Sequence, residues 1–317
     1  MRDDNWKEII EGNLNFKNPD IRTYIEAENA YKDEVMKDHK TLEKQIYNEL
    51  LSRIKEDKES YPNRKDNFYY FQREKEGLNY PILCRFIHTD KLDFVDHTYD
   101  FAEEKKSAEV FFDINKEAEG HDLYSFREND SNKSNSLFAY MYNLTGSLEG
   151  VLKVRNLENK KDFDWQIGNT NGDFIWISNS ELYYSERDEY SRGKKVYKLD
   201  VNQGPSSKKL VFEKPEEYAN MFLGLGQTTD EKYIILTLSS GSTQVTYVSE
   251  KGSYSFERFS VGTNDITHSI EHYDGSFYIL TNEDHAEDFK VMKTSTDYPS
   301  WPIENWTTYL HEKKDVV

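Results

Sequence analysis

His268 and His272, in the stretch "HSIEH", form the H-x-x-E-H pattern with which some zinc peptidases hold their metal. That chemistry needs both imidazoles one turn apart on a helix. Here the flanks, "NDIT" before and "YDGSFYILTN" after, read as strand and turn. On a strand, side chains four apart share a face but stand about 13 Å from each other, at roughly 3.3 Å per residue. One metal cannot bridge that gap, so no zinc centre is expected. His88 and His97 in "HTDKLDFVDH" flank acids in a polar insertion, which is expected to be a solvated loop. Glu103–Glu104 and Glu216–Glu217 are neighbours in sequence, whereas glycoside hydrolysis needs two carboxylates facing across a pocket. No Gly-rich loop follows a strand and opens a helix, as phosphate binding requires. The single cysteine, Cys84 in "NYPILCRFI", falls in an expected strand and reads as a buried, inert thiol. It excludes a disulfide framework and suits a reducing compartment. No catalytic residue, no cofactor and no metal site is therefore expected in this chain.

The elements that carry these residues change character along the chain. In "TYIEAENAYKDEVM", Tyr24, Ala27, Tyr31 and Val35 fall at steps of three and four, one face of an α-helix. Asn18, Pro19 and Asp20 supply a cap, a first helical residue and an acid beside the helix N-terminus. "KTLEKQIYNELLSRI" repeats the pattern with Leu42, Ile46, Leu50 and Ile54. Two antiparallel helices, or one helix broken near Asp38–His39, satisfy this spacing. Pro62 and the charged run around it end the helical segment.

From Asn67 onward, fourteen short aromatic and β-branched runs alternate with turn residues. Runs of one type begin near Phe68, Leu137, Leu182, Tyr233 and Phe277, at intervals of about 40–50 residues except the first, which the polar insertion lengthens. Three or four short strands per repeat of that length is the pattern of a β-propeller blade. The composition agrees: 23 Tyr, 18 Phe and 5 Trp in 317 residues lean toward β structure. A net charge of −18 argues against nucleic acid and anionic membrane surfaces and favours cationic ligands. No segment approaches the length of an apolar membrane span or signal peptide, so a cytoplasmic protein is expected.

Seven segments in order, among them "NPDIRTYIEAENAYKDEVM", "EVFFDINKEAEGHDLYSF", "FIWISNSELYYSERD" and "SIEHYDGSFYILTNEDHAEDFKVMK", resemble the N-terminal part of the oligopeptidase B group. That group lies within the prolyl oligopeptidase family of serine peptidases. The resemblance implies a mainly β fold: a β-propeller of the prolyl oligopeptidase type, about five of seven blades, preceded by an N-terminal helical segment. Residues 1–62 would be the helical extension and residues 63–317 the partial propeller. In that family the propeller caps an α/β-hydrolase domain, admits only short peptides, and the helical extension packs beside the hydrolase domain. The Tyr24–Val35 stripe would then face a domain without a counterpart in these residues. His121, inside a resembling segment, is expected to serve a structural turn.

The family nucleophile sits in a G-x-S-x-G elbow. The nearest stretches here, "TGSLEG" and "SSGSTQ", do not fit it. The chain is thus expected to be the non-catalytic gating portion of an oligopeptidase B-like enzyme, inactive alone, with a complementary peptidase-domain chain as its partner. Two alternatives stand beside this one. The first is a stand-alone propeller binding a cationic peptide or a protein. The second is a truncated remnant whose open strand edges favour self-association. With two blades absent, the sheet is expected to leave a gap rather than close.

Overall fold

The computed structural model describes residues 16–87, 101–147, 149–241, 243–260, 266–298 and 300–313. Helix α1 (Pro19–Met36) starts where Asn18 accepts a hydrogen bond from Asp20 N at 3.0 Å, with proline at its first turn. A single 3-10 turn, Lys37–His39, joins it to α2 (Lys40–Ser52). The backbone of Lys37 and Lys40 stays in the right-handed helical region, so the chain continues as one broken helix rather than turning back as a hairpin. Neither helix contains a buried residue. Tyr24, Tyr31, Leu42 and Leu50 are all more than half exposed.

Four antiparallel sheets follow. Sheet I holds β1 (Lys58–Glu59), β2 (Asn63–Lys65), β3 (Phe68–Glu74), β4 (Ile82–Ile87) and β5 (Glu109–Asp113). Strand pairing thus begins at Lys58. Sheet II is a run of eight: β6 (Ser125–Ser131), β7 (Leu137–Asn143), β8 (Gly150–Asn156), β9 (Lys161–Asp162), β10 (Ile167–Trp176), β11 (Glu181–Arg187), β12 (Gly193–Asp200) and β13 (Lys209–Glu213). Sheet III is β14 (Phe222–Gln227), β15 (Tyr233–Ser240), β16 (Thr243–Glu250) and β17 (Glu257–Ser260). Sheet IV is β18 (His268–Tyr273), β19 (Ser276–Thr281), β20 (Lys290–Ser295) and β21 (Thr307–Leu310).

Sheet II is two four-stranded units sharing one strand, with β9 pairing β8 as an extra side strand. The start of β10 pairs with β8 through Ile167 and Thr170, and its remainder pairs with β11 through Thr170 and Phe174–Trp176. The register shifts between Thr170 and Phe174, around Gly172 at φ +108°, a conformation that favours a residue without Cβ. With β2 and β9 set aside as side strands, five repeats of four laddered strands result, and the starts at Phe68, Leu137, Leu182, Tyr233 and Phe277 each fall on the second strand of a ladder.

The described residues divide into two compact units, one drawn from Met1–Phe126 with Asn143–Leu148 and the other from Arg127–Tyr142 with Glu149–Val317. In the first, Tyr69, Phe71, Cys84, Phe86 and Phe101 form the core. In the second, alternate residues of a strand serve two different cores. Leu182 and Tyr184 pack with Leu152, Val154 and Trp176. Tyr183, between them on β11, turns to Leu223, Ile234 and Leu236 of sheet III. Val248 and Phe259 then meet Phe277 and Ile279 of sheet IV and Trp301, which follows β20. This two-sided burial follows from the period of two along a strand.

One tight turn gives a direct test of this packing. Gly204 has φ +69°, and a Cβ there would lie 2.9 Å from Trp165 Cδ1, whose indole donates to Val201 O at 3.2 Å. Gly204→Ala is expected to cost about 1–3 kcal/mol from backbone strain and displacement of the ring. A lowered urea midpoint would show it, and an unchanged midpoint would contradict the geometry.

Candidate functional site

The "HSIEH" stretch is strand β18, with alternate residues buried, and it forms the seam between sheets III and IV. His268 Nε2 lies 2.9 Å from Thr246 Oγ1 of β16. The Gln244 side chain brackets the same residue, donating to His268 O at 2.5 Å and accepting from His268 N at 3.4 Å. Two pleat repeats further, His272 Nδ1 meets Asp230 Oδ2 at 2.6 Å, between the rings of Tyr233 and Phe277. Glu271, on the opposite face, accepts from Thr229 N and Thr229 Oγ1 at 2.8 and 2.9 Å. The two imidazoles therefore share a face but bind different partners.

Electrostatics follow from burial. The His268 imidazole, 5% exposed, is pushed down to about 4 by desolvation. Burial opposes ionisation of Asp230, yet the bonds from His272, Thr228 and Lys232 N hold its carboxyl below the ordinary range. In sheet II, desolvation raises Asp173 to about 6, against a hydrogen bond from Asn171 and helped by the charge of Glu128. Arg187 buries its guanidinium 3.4 Å from Glu149, and its Nε and Nη1 find no acceptor among the described residues.

Beside the His268 seam lies a cavity of about 330 Å³. Gly224, Leu225, Gly226 and Gln227 of β14 form one wall, and Thr246 and His268 lie on the other side. The space exists because two side chains are missing: a Cβ at Gly226 would meet nothing within 4 Å, and one at Gly224 only Thr237 O at 3.9 Å. Among the described residues no charged side chain lines it.

The other residues singled out in the sequence lie apart from this seam. Cys84 is fully buried, its thiol pushed up chiefly by desolvation. His121 N donates to Ala118 O at 3.1 Å in the turn after the short helix Ile114–Glu117, its ring 6.1 Å from that of Tyr124. Glu103 pairs with Lys106 at 2.6 Å on an exposed helix, and Glu216–Glu217 open a 3-10 turn. His88 and His97 lie outside the described residues. Among the described residues no group of three or more His, Cys, Asp or Glu side chains is placed to hold a metal ion, and no helix is long and apolar enough to cross a membrane. Gln244, Asp230, Gly224 and Gly226 do not stand out by their spacing in the sequence. The G-x-G within "FLGLGQ" was the available signal, since glycine inside a strand marks close approach of another group.

Repeated four-stranded sheets, those of sheets II to IV packed face to face through aromatic and aliphatic cores, define a β-propeller-type domain. The family model for the prolyl oligopeptidase N-terminal β-propeller domain matches residues 15–317, and the chain belongs to that family. It is similar to a dipeptidyl aminopeptidase BI from Pseudoxanthomonas mexicana, 28% identical over 308 residues, covering 95% of this chain and 42% of the relative. A protease 2 from Moraxella lacunata is 23% identical over 281 residues, covering 87% of this chain and 39% of that protein. Oligopeptidase B from Leishmania major shares the fold at a TM-score of 0.79 and 21% identity, over 94% of this chain and 40% of that one. The chain thus spans about two fifths of the length of these relatives.

Proposed function

We propose that this chain is the gating, non-catalytic portion of an oligopeptidase B-like serine peptidase that acts on short peptides after basic residues, and that it works in the cytoplasm. The bond-breaking chemistry would belong to an α/β-hydrolase domain beyond these 317 residues. One observation carries the reading: α1 and α2 present an apolar stripe with no buried residue, a surface that calls for a partner. Burying one such side chain is worth about 1.5–3 kcal/mol, so the stripe of Tyr24, Tyr31, Val35, Leu42 and Leu50 would supply substantial docking energy. The last sheet supports the same reading, with Leu280, Tyr309 and Leu310 all exposed where a further blade would pack.

The test is hydrolysis of a fluorogenic Arg-Arg peptide. The chain alone is expected to give no turnover and no labelling by a fluorophosphonate. Mixing it with the hydrolase portion of an oligopeptidase B is expected to restore turnover, and Leu42→Ala with Leu50→Ala to weaken that restoration at least tenfold. The pair should shift the stability of the isolated chain by less than about 1 kcal/mol, because both residues are already more than half exposed. A serine labelled in the isolated chain would end this reading. The net charge of −18 favours a second reading, a stand-alone propeller that captures cationic peptides; one stoichiometric partner other than a peptidase domain would support it.

A further inference from the structure

We propose that the open edge of β14, with the cavity beside it, is a docking site for an extended peptide that adds to sheet III as a further strand and seats one uncharged side chain between sheets III and IV. The class of ligand rests on the reading of a peptide-handling domain; the geometry is independent of it.

Strand β14 ends its sheet, with β15 on one side only. Thr228 N donates to Tyr233 O at 2.9 Å, and antiparallel pairs alternate between bonded and non-bonded. The bonded pairs therefore continue through Gly226–Ile235 and Gly224–Thr237. Leu223, Leu225 and Gln227 turn their N–H and C=O groups to the open edge instead. Leu223 O is approached by Asn171 Nδ2 at 3.5 Å, and among the described residues the N–H and C=O of Leu225 and Gln227 remain available to another backbone. A peptide strand would bond these groups and place alternate side chains on each face.

On the face toward sheet IV, Gly224 and Gly226 present no side chains, so an incoming backbone can lie close and its side chain can enter the 330 Å³ space. The lining settles the chemistry of that side chain. Ile235 and Ile270 offer apolar contact, and the polar groups that line it among the described residues are amide, hydroxyl and imidazole without a formal charge. A Lys or Asp entering it would lose its hydration without a counter-charge. The neighbouring seam already displays this type of recognition: the Gln244 amide brackets the N–H and C=O of His268 on the open edge of β18, as a peptide group would.

The experiment is calorimetric titration of the full chain with the uncharged peptide acetyl-Ala-Ala-Leu-Ala-Ala-amide. Saturable binding is expected. At least tenfold weakening is expected from each of three changes: N-methylation of alternate peptide amides, the central Leu changed to Lys, and Gly226→Val in the protein. A Cβ at Gly226 meets no neighbour, so the variant should keep its melting temperature, which is checked alongside. Absence of binding up to millimolar peptide overturns the proposal, as does equal binding of the N-methylated peptide or of Gly226→Val. Restored hydrolysis without peptide binding by the chain would remove this inference alone. Peptide binding without restorable hydrolysis would remove only the assignment to a peptidase.

Discussion

Phe277→Ala is expected to lower the stability of the protein by about 3–5 kcal/mol, the usual cost of emptying an aromatic site in a core. Phe277 is fully buried, and its ring lies 4.8 Å from Tyr233, 5.2 Å from Phe259 and 5.3 Å from Trp301. Two of these neighbours belong to sheet III and one follows β20, so the phenyl ring joins the two sheets. β-sheet backbone on both sides restrains collapse around the void, which places the expected cost toward the upper end. Leu280→Ala supplies the control. It sits on the same strand but is 46% exposed, and its loss should cost no more than about 1 kcal/mol. Urea midpoints of the two variants against the parent chain provide the readout. Equal effects would show that the sheet IV core does not depend on this ring.

The seam should also weaken in mild acid through His268. Its folded imidazole titrates at about 4 and an unfolded one near 6.5. The folded state therefore binds fewer protons between those values, and the stability present above pH 6.5 falls as the pH drops, levelling off below 4. Linkage puts the loss at about 2 kcal/mol at pH 5 and about 3 kcal/mol at its limit. Asp173 acts in the opposite sense. With a folded value raised to about 6, its cost is present above that pH and relieved as the carboxyl protonates. The contribution of His268 is thus read from the difference between the parent and His268→Gln, in which the Thr246 contact can be kept without a titrating group. That difference should change sharply from pH 7 to 4. A difference that stays constant across that range would refute the buried-neutral assignment.

All fourteen aromatic and β-branched runs lie on strands, because each strand packed on two sides needs apolar residues at nearly every position. The strands without such runs are mostly the first of a repeat. β6, "SFRENDS", and β14, "FLGLGQ", each have an open edge or a glycine-bared face, and their sequences carry the polarity and glycine that such positions tolerate. The cap at Asn18 was legible because it is local. Whether the two helical patterns formed a hairpin or a broken helix was not, since that depends on three residues, Lys37–His39, remaining helical. The partner of the stripe was not legible either, and the described chain supplies none that buries it. The histidine pattern was correctly placed on a strand, yet its contacts were hidden: Asp230 lies 42 positions from His272, and nothing in the spacing of either residue announces the pair.

Strand β10 has a consequence for how this molecule can breathe. Because one backbone belongs to the ladders of both β8 and β11, the two repeats of sheet II cannot part without breaking main-chain hydrogen bonds. Among the described residues, sheets III and IV share no strand with their neighbours and meet them mainly through side chains, Tyr183 and Leu223 at one junction and Phe259 and Phe277 at the next. Breathing motions should therefore divide the chain unevenly, with eight strands moving as one cooperative block and the later sheets peeling from it like pages from a bound spine.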